Sequence, residues 1–150
     1  MKNIIFDTRA SWTPTILRVF LGMVVFPHGA QKLLGWFNGA GFEGTMQYFT
    51  ETVGLPWLLG FVVILLEFFG ALALIAGIAT RIFAALYVCI ATGIIFSTET
   101  GNYFFMNWFG NQPSEGFEFF LLWIAIALTL LLNGGGSYSF DRLILNRKSL

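Results

Sequence analysis

The sequence predicts an all-α integral membrane protein, a bundle of four transmembrane helices with both termini on the cytoplasmic side. Three observations carry that expectation. Of the 150 residues, 57% are hydrophobic and only 11% are charged, well under the roughly 25% charged residues of a soluble domain. The mean hydropathy is +0.76, and the 17 glycines suit transmembrane helices, where glycine is commoner than in soluble ones. Finally, the apolar residues form continuous runs without the alternation of a strand, so helices are the way to satisfy the backbone in lipid.

A helix rises 1.5 Å per residue, so about 20 apolar residues cross a hydrocarbon core of roughly 30 Å. Four stretches are candidates, at about residues 13–34, 55–78, 81–96 and 117–133. The last two are short, which implies thinning of the bilayer or snorkelling at their ends. Lys2, Asp7 and Arg9 precede the first stretch with no small-residue cleavage pattern after it, so it is expected to stay as a span rather than leave as a signal peptide. With four crossings, the termini share a side with the turn at Ala79 and Thr80. Lys2, Arg9, Arg81, Arg142, Arg147 and Lys148 gather there, while Glu43, Glu51, Glu99 and Glu115 fall in the opposite loops. The lysine and arginine bias makes the first side cytoplasmic. The two outer loops, about residues 35–54 and 97–116, are rich in aromatics; they fit an interfacial belt or, alternatively, a cover over an outward-opening cavity.

Other classes are disfavoured. Eight Lys and Arg balance eight Asp and Glu, so no basic surface is left for nucleic acid. A single cysteine, Cys89, gives no intrachain disulfide, no paired redox cysteines and no cysteine-held cluster. One histidine with scattered carboxylates is too few ligands for zinc, copper or haem iron, and no intrinsic cofactor is expected.

Charges at membrane depth cost about 2.5 to 3.5 kcal/mol each on insertion scales, so each needs a partner or a task. Five residues raise that question: Arg18, His28, Lys32, Glu67 and Glu118. At 3.6 residues per turn, Arg18, His28 and Lys32 share one stripe of the first helix with Gly22, Val25 and Gly29, and this stripe should face protein. Side chains lean toward their helix N-terminus, so His28 on the outward-running first span and Glu67 on the inward-running second are expected to converge. Lys32 and Glu118 share a level and are expected to pair, and Arg18 to snorkel toward the cytoplasmic interface. A purely structural explanation treats these as interhelical bonds of about 0.6 to 2 kcal/mol each. A functional one makes them a polar pocket for a small head group, with His28 and Glu67 exchanging protons.

The stretch Leu17-Arg18-Val19, then Gly22, His28-Gly29 and Lys32-Leu33, and later Glu67, Gly70-Ala71-Leu72, Gly77 and Thr80-Arg81, resembles the DoxX family of small bacterial and archaeal membrane proteins. Gly134 to Gly136 and Ser139-Phe140-Asp141 are similar to that family's closing signature. The resemblance implies a four-helix protein of the bacterial cytoplasmic membrane with an oxidoreductase role. Some relatives are linked to thiosulfate:quinone oxidoreduction, others to an assembly with a sulfurtransferase and a superoxide dismutase. It gives weight to Arg18, His28, Lys32 and Glu67, without assigning each a role.

The leading expectation is therefore a subunit that binds a quinone or similar amphipathic molecule between its helices near the outer leaflet. Glu67 and His28 would be its catalytic pair, with Arg18, Lys32 and Glu118 on the substrate-binding side. Electrons would come from a sulfur compound or a partner redox subunit. A non-catalytic scaffold that docks partners, and a small-solute transporter or channel built by homo-oligomerisation, are the rival expectations.

Overall fold

The computed structural model describes Thr8 and residues 10–147. These residues are helical throughout their regular parts, with six helices and no strand among them. Helix α1 (Trp12–Leu34) starts where the Ser11 hydroxyl accepts the Thr13 N–H at 3.2 Å, and stops at Gly35, whose φ of 73° is the left-handed value that ends helices. Helix α2 (Gly41–Gln47) runs into a π-helical turn (Tyr48–Thr52); the sequence had suggested only an aromatic loop here.

Helix α3 (Trp57–Ala76) has an α-helical first half, a π turn at Leu66–Gly70 and an α-helical end at Ala71–Ala76. Helix α4 (Thr80–Ser97) follows a three-residue turn, and α5 (Glu118–Asn133) follows a long irregular connection. The last helix, α6 (Phe140–Arg147), was not foreseen because its eight residues are too few and too mixed in polarity to announce a span. By length and composition α3 and α4 can cross a membrane, while α5 is shorter.

Helix α1 packs along α3 and α5, and α4 packs along α5 and the end of α3. The buried side chains between them are Leu21 and Val25 of α1, Ala71 and Leu74 of α3, Ala84, Tyr87 and Ala91 of α4, and Trp123, Ala127 and Leu130 of α5. The approach of α1 to α3 is closest at glycines. A Cβ on Gly22 would stand 2.8 Å from the Ala71 carbonyl oxygen, and one on Gly29 would stand 2.5 Å from backbone atoms of Glu67 and Phe68. This backbone contact is the packing device expected when lipid tails supply no drive for helices to associate.

One end of the molecule is tied by Arg18 and Asp141. Arg18 is only 2% exposed, and its guanidinium donates to the carbonyls of Gly135 (2.8 Å), Leu74 (2.9 Å), Ile75 and Tyr138. Snorkelling is therefore replaced by burial: the carbonyls in the last turn of α3, of which Leu74 is shared with the Gly77 N–H at 3.1 Å, have capacity left over at the helix end and offer the guanidinium better acceptors than a distant interface. Asp141, also buried, accepts the Ala79 N–H (2.7 Å) and the Thr80 N–H (2.9 Å), while its own N–H donates to the Gly77 carbonyl at 3.0 Å. The first residue of α4 is thus capped from the far end of the chain. Ser137 donates to the Ser11 carbonyl at 3.0 Å, so the start of α1, the α3–α4 turn and the C-terminal segment meet. Lys2, Arg9 and Lys148, three of the cations expected on the cytoplasmic side, lie outside the described residues.

The opposite end carries the connection of residues 98–117. Its polar side chains fold it on itself: Asn107 and Gln112 exchange side-chain-to-backbone bonds of 2.9 and 3.1 Å, and Glu115 accepts the Asn107 N–H at 2.7 Å. Its aromatic rings stay outside, with Phe105, Trp108 and Phe109 all exposed, as an interfacial position would favour.

The glycine contacts give a direct test. Gly29→Ala inserts a methyl against rigid backbone, so it should destabilise the purified protein by about 1 to 3 kcal/mol despite alanine's better helix propensity. Gly93→Ala meets nothing within 4 Å and should be neutral or stabilising by up to about 1 kcal/mol. Thermal unfolding in detergent, followed by circular dichroism, separates the two.

Candidate functional site

The site begins with Gly29. At about 100° per residue, Arg18, Gly22, Val25 and Gly29 form the line along which α1 touches α3. Lys32 stands about 60° to one side of that line and His28 about 100° to the same side. Facing them on α3 is the π turn, which adds a residue to one turn and re-aims the side chains around it. Glu67 lies in that turn and is 2% exposed.

Lys32 and Glu67 form an ion pair, Nζ to Oε2, with Lys32 still 27% exposed. Depths along the two helices had suggested a different pairing, His28 with Glu67 and Lys32 with Glu118. The lysine stem accounts for the exchange. It leans toward the start of α1 and its four carbons cover the difference in level, whereas the short His28 ring stays on the open flank of the helix. His28 is exposed and has no hydrogen bond to Glu67 among the described residues, although the charges of both Lys32 and Glu67 reach it.

Glu118 is employed elsewhere. Its carboxylate accepts the Met106 N–H at 2.8 Å, which fastens the outer connection to the start of α5, so it does not meet Lys32. Arg18 sits at the other end of α1, in the carbonyl cluster already described. The five residues singled out from the sequence therefore divide into a trio at the α1–α3 seam (His28, Lys32 and Glu67), one loop anchor and one helix-end anchor.

Two residues behind the seam carried no signal in the sequence. Tyr87 of α4 is fully buried, and its hydroxyl donates to the Leu66 carbonyl at 3.2 Å, an acceptor within the π turn. Its ring lies 5.4 Å from that of Trp123, whose Nε1 is buried without a partner among the described residues. Both read in the sequence as ordinary aromatics of apolar spans. Asp141, by contrast, stood in a recognisable signature but without a role.

Chemically, the seam presents a buried carboxylate, a partly exposed ammonium paired with it, and an exposed imidazole. Such a set can donate hydrogen bonds to an oxygen and can pass a proton. Among the described residues no three His, Cys, Asp or Glu side chains are grouped as metal ligands. Cys89 is exposed on α4. Two clefts, of about 410 and 530 Å³, lie at the two ends of the molecule, and neither is lined by the trio.

The DoxX family model matches residues 13–100. The chain belongs to the DoxX family. It is 32% identical over 115 residues to the Bacillus subtilis (strain 168) protein named "Putative oxidoreductase CatD", covering 77% of this chain and 75% of that one. It is 38% identical over 120 residues to the Escherichia coli (strain K12) "Inner membrane protein YqjF", covering 76% and 82%. No solved structure matches it. The DoxX match spans α1 to α4, and so takes in Arg18, His28, Lys32, Glu67 and Tyr87, whereas Glu118 and Asp141 lie beyond it. This DoxX chain is accordingly a membrane protein.

Lys32→Met strands the buried Glu67 carboxylate. It should cost about 3 kcal/mol, the low end for a broken buried pair because Lys32 retains some exposure. The double variant Lys32→Met/Glu67→Leu should recover most of that loss. Equilibrium unfolding in sodium dodecyl sulfate of the wild type, both single variants and the double variant measures the coupling; additive losses would mean that the two side chains do not interact.

Proposed function

We propose that this DoxX-family chain is a four-span bundle of the bacterial inner membrane, with its termini cytoplasmic, that binds a quinone or a similarly amphipathic molecule at the α1–α3 seam. The observation that carries this reading is the half-open ion pair. Glu67 is buried in a π turn, Lys32 reaches it from the flank of α1, and His28 stands exposed beside both. A ring entering sideways from the bilayer would meet a hydrogen-bond donor before it met the buried carboxylate.

On this reading Lys32 or His28 donates to a quinone carbonyl oxygen and Glu67 supplies or receives a proton. Reduction of a quinone to a quinol takes up two electrons and two protons, with both oxygens ending as hydroxyls. The electrons come from outside the chain, from a sulfur compound or a partner redox subunit. The names of CatD and YqjF, oxidoreductase and inner membrane protein, agree with this reading. The aromatic rings of the two outer connections would lie at the head-group level above the site.

Binding of ubiquinone and menaquinone analogues to the protein in nanodiscs tests the reading. Saturable binding is expected, weakened roughly tenfold or more in His28→Ala and in Glu67→Gln, the loss of a hydrogen bond to a charged or polar partner, with unchanged far-UV circular dichroism. Absence of binding to the wild type would overturn it and favour a scaffold whose charges join helices.

A further inference from the structure

The cleft of about 410 Å³ lies where α3 ends and α6 begins, far from the seam. It is lined chiefly by Ala76, Ser137, Tyr138, Phe140, Arg142 and Leu143. Its walls are apolar and open: Phe140 is 53% exposed and Leu143 57%. The Trp12 ring lies tilted against Tyr138, centroids 4.5 Å apart, a pairing of amphipathic rings typical of the membrane–water boundary.

The position of this cleft is fixed. Asp141, one residue before Arg142, is locked onto the Ala79 and Thr80 amides, and the Arg142 and Leu143 N–H groups donate to the Ser139 hydroxyl (3.2 Å) and carbonyl (3.3 Å). Arg18 uses its guanidinium on four carbonyls, and Arg81 donates to the Leu132 carbonyl at 3.1 Å. Among the described residues the Arg142 guanidinium has no such partner. The one described carboxylate at this end, Asp141, is buried in its cap. The chain continues with two more cations, Arg147 and Lys148.

A planar guanidinium with free donors is suited to two parallel bonds to a phosphate. Exposed apolar walls at the membrane boundary suit hydrocarbon, and a short amphipathic helix with basic residues is the usual form of an anionic-lipid contact. We propose that this cleft binds an anionic phospholipid of the leaflet at the terminal end, with the phosphate on Arg142 and the glycerol and upper acyl chains against Tyr138, Phe140 and Leu143. The lipid completes the surface on which α6 rests and holds the C-terminal segment to the membrane. This site is independent of the quinone reading.

The test is electron spin resonance of the full-length protein in phosphatidylcholine nanodiscs, with spin-labelled phosphatidylglycerol compared with spin-labelled phosphatidylcholine. The wild type should prefer phosphatidylglycerol roughly fivefold, the contribution of one basic side chain at a membrane surface. Arg142→Gln should bring the ratio close to one, and Arg81→Gln, a cation at the same end, should leave it unchanged. An unchanged preference in Arg142→Gln would overturn the proposal, as would equal losses in both variants, which would mean diffuse surface charge. Displacement of the labelled lipid by free inorganic phosphate would also overturn it, because the site would then take the anion from water. Far-UV circular dichroism and thermal unfolding of the variants show whether the fold is intact.

Discussion

A guanidinium buried between helices must find its acceptors within the protein, because the hydrocarbon of lipid offers none. Arg18 does so at the expense of no secondary structure: two of its acceptors, Leu74 and Ile75, are carbonyls in the last turn of α3, Leu74 being shared with the Gly77 N–H, and two more, Gly135 and Tyr138, lie in the segment after α5. Burying this one side chain therefore joins α1, α3 and the C-terminal segment. It also explains the glycines around it. A Cβ at Gly77 would stand 3.0 Å from Arg18 Cζ and 2.5 Å from Ser139 Cβ, and one at Gly135 would strike Ser139 and the Thr80 hydroxyl. Space at this end is taken up by the guanidinium and the backbone it holds, and Asp141 closes the arrangement by capping α4.

The same two helices are fastened a second time. Lys32 lies 14 positions after Arg18 on α1, about 21 Å along its axis, and its partner Glu67 lies on α3 before the carbonyls that Arg18 binds. Between these fastenings the helices touch through Gly22 and Gly29. A slip of one helical turn would break both polar connections and drive Gly29 off the π turn, so the register of α1 on α3 is set by polar groups and permitted by glycines. The π turn is part of this design. It brings the Glu67 and Phe68 backbone against Gly29 and leaves the Leu66 carbonyl to the Tyr87 hydroxyl, which ties α4 to the site from behind.

The helical class and the stretches that become α1, α3, α4 and α5 were legible because continuous apolar runs bounded by Gly and polar residues leave few alternatives. The contact stripe Arg18, Gly22, Val25, Gly29 was legible for a similar reason: small and charged residues at helical spacing are costly in any other position. What escaped was side-chain reach and local irregularity. Depth counting places Cα atoms, and it mistook which partner a long lysine stem selects. Nothing in Leu66-Glu67-Phe68-Phe69-Gly70 distinguishes a π turn from an α turn. Arg18 was read from its own preferences, but its fate depends on carbonyls left over at the end of another helix, and those belong to tertiary structure. Helix α6 and the capping role of Asp141 escaped for the same reason, since the groups that Asp141 satisfies are some sixty residues away.

Stability alone is a weak reason for the seam's charges. Taking a carboxylate and an ammonium out of water costs several kcal/mol per ion, and well-packed apolar residues of the same volume commonly hold helices as well or better. Arg18 answers this objection by its closed shell of acceptors. The Lys32–Glu67 pair does not: one oxygen of Glu67 is engaged, Lys32 is partly open, and His28 beside them faces outward without a partner to its ring among the described residues. A group that only joined helices would be better buried on both sides. An arrangement with its anion enclosed and its donors turned to the edge is economical when the missing hydrogen bonds are made to something that comes and goes, as the proposed ligand would on reaching the edge of α1 and α3 from the bilayer.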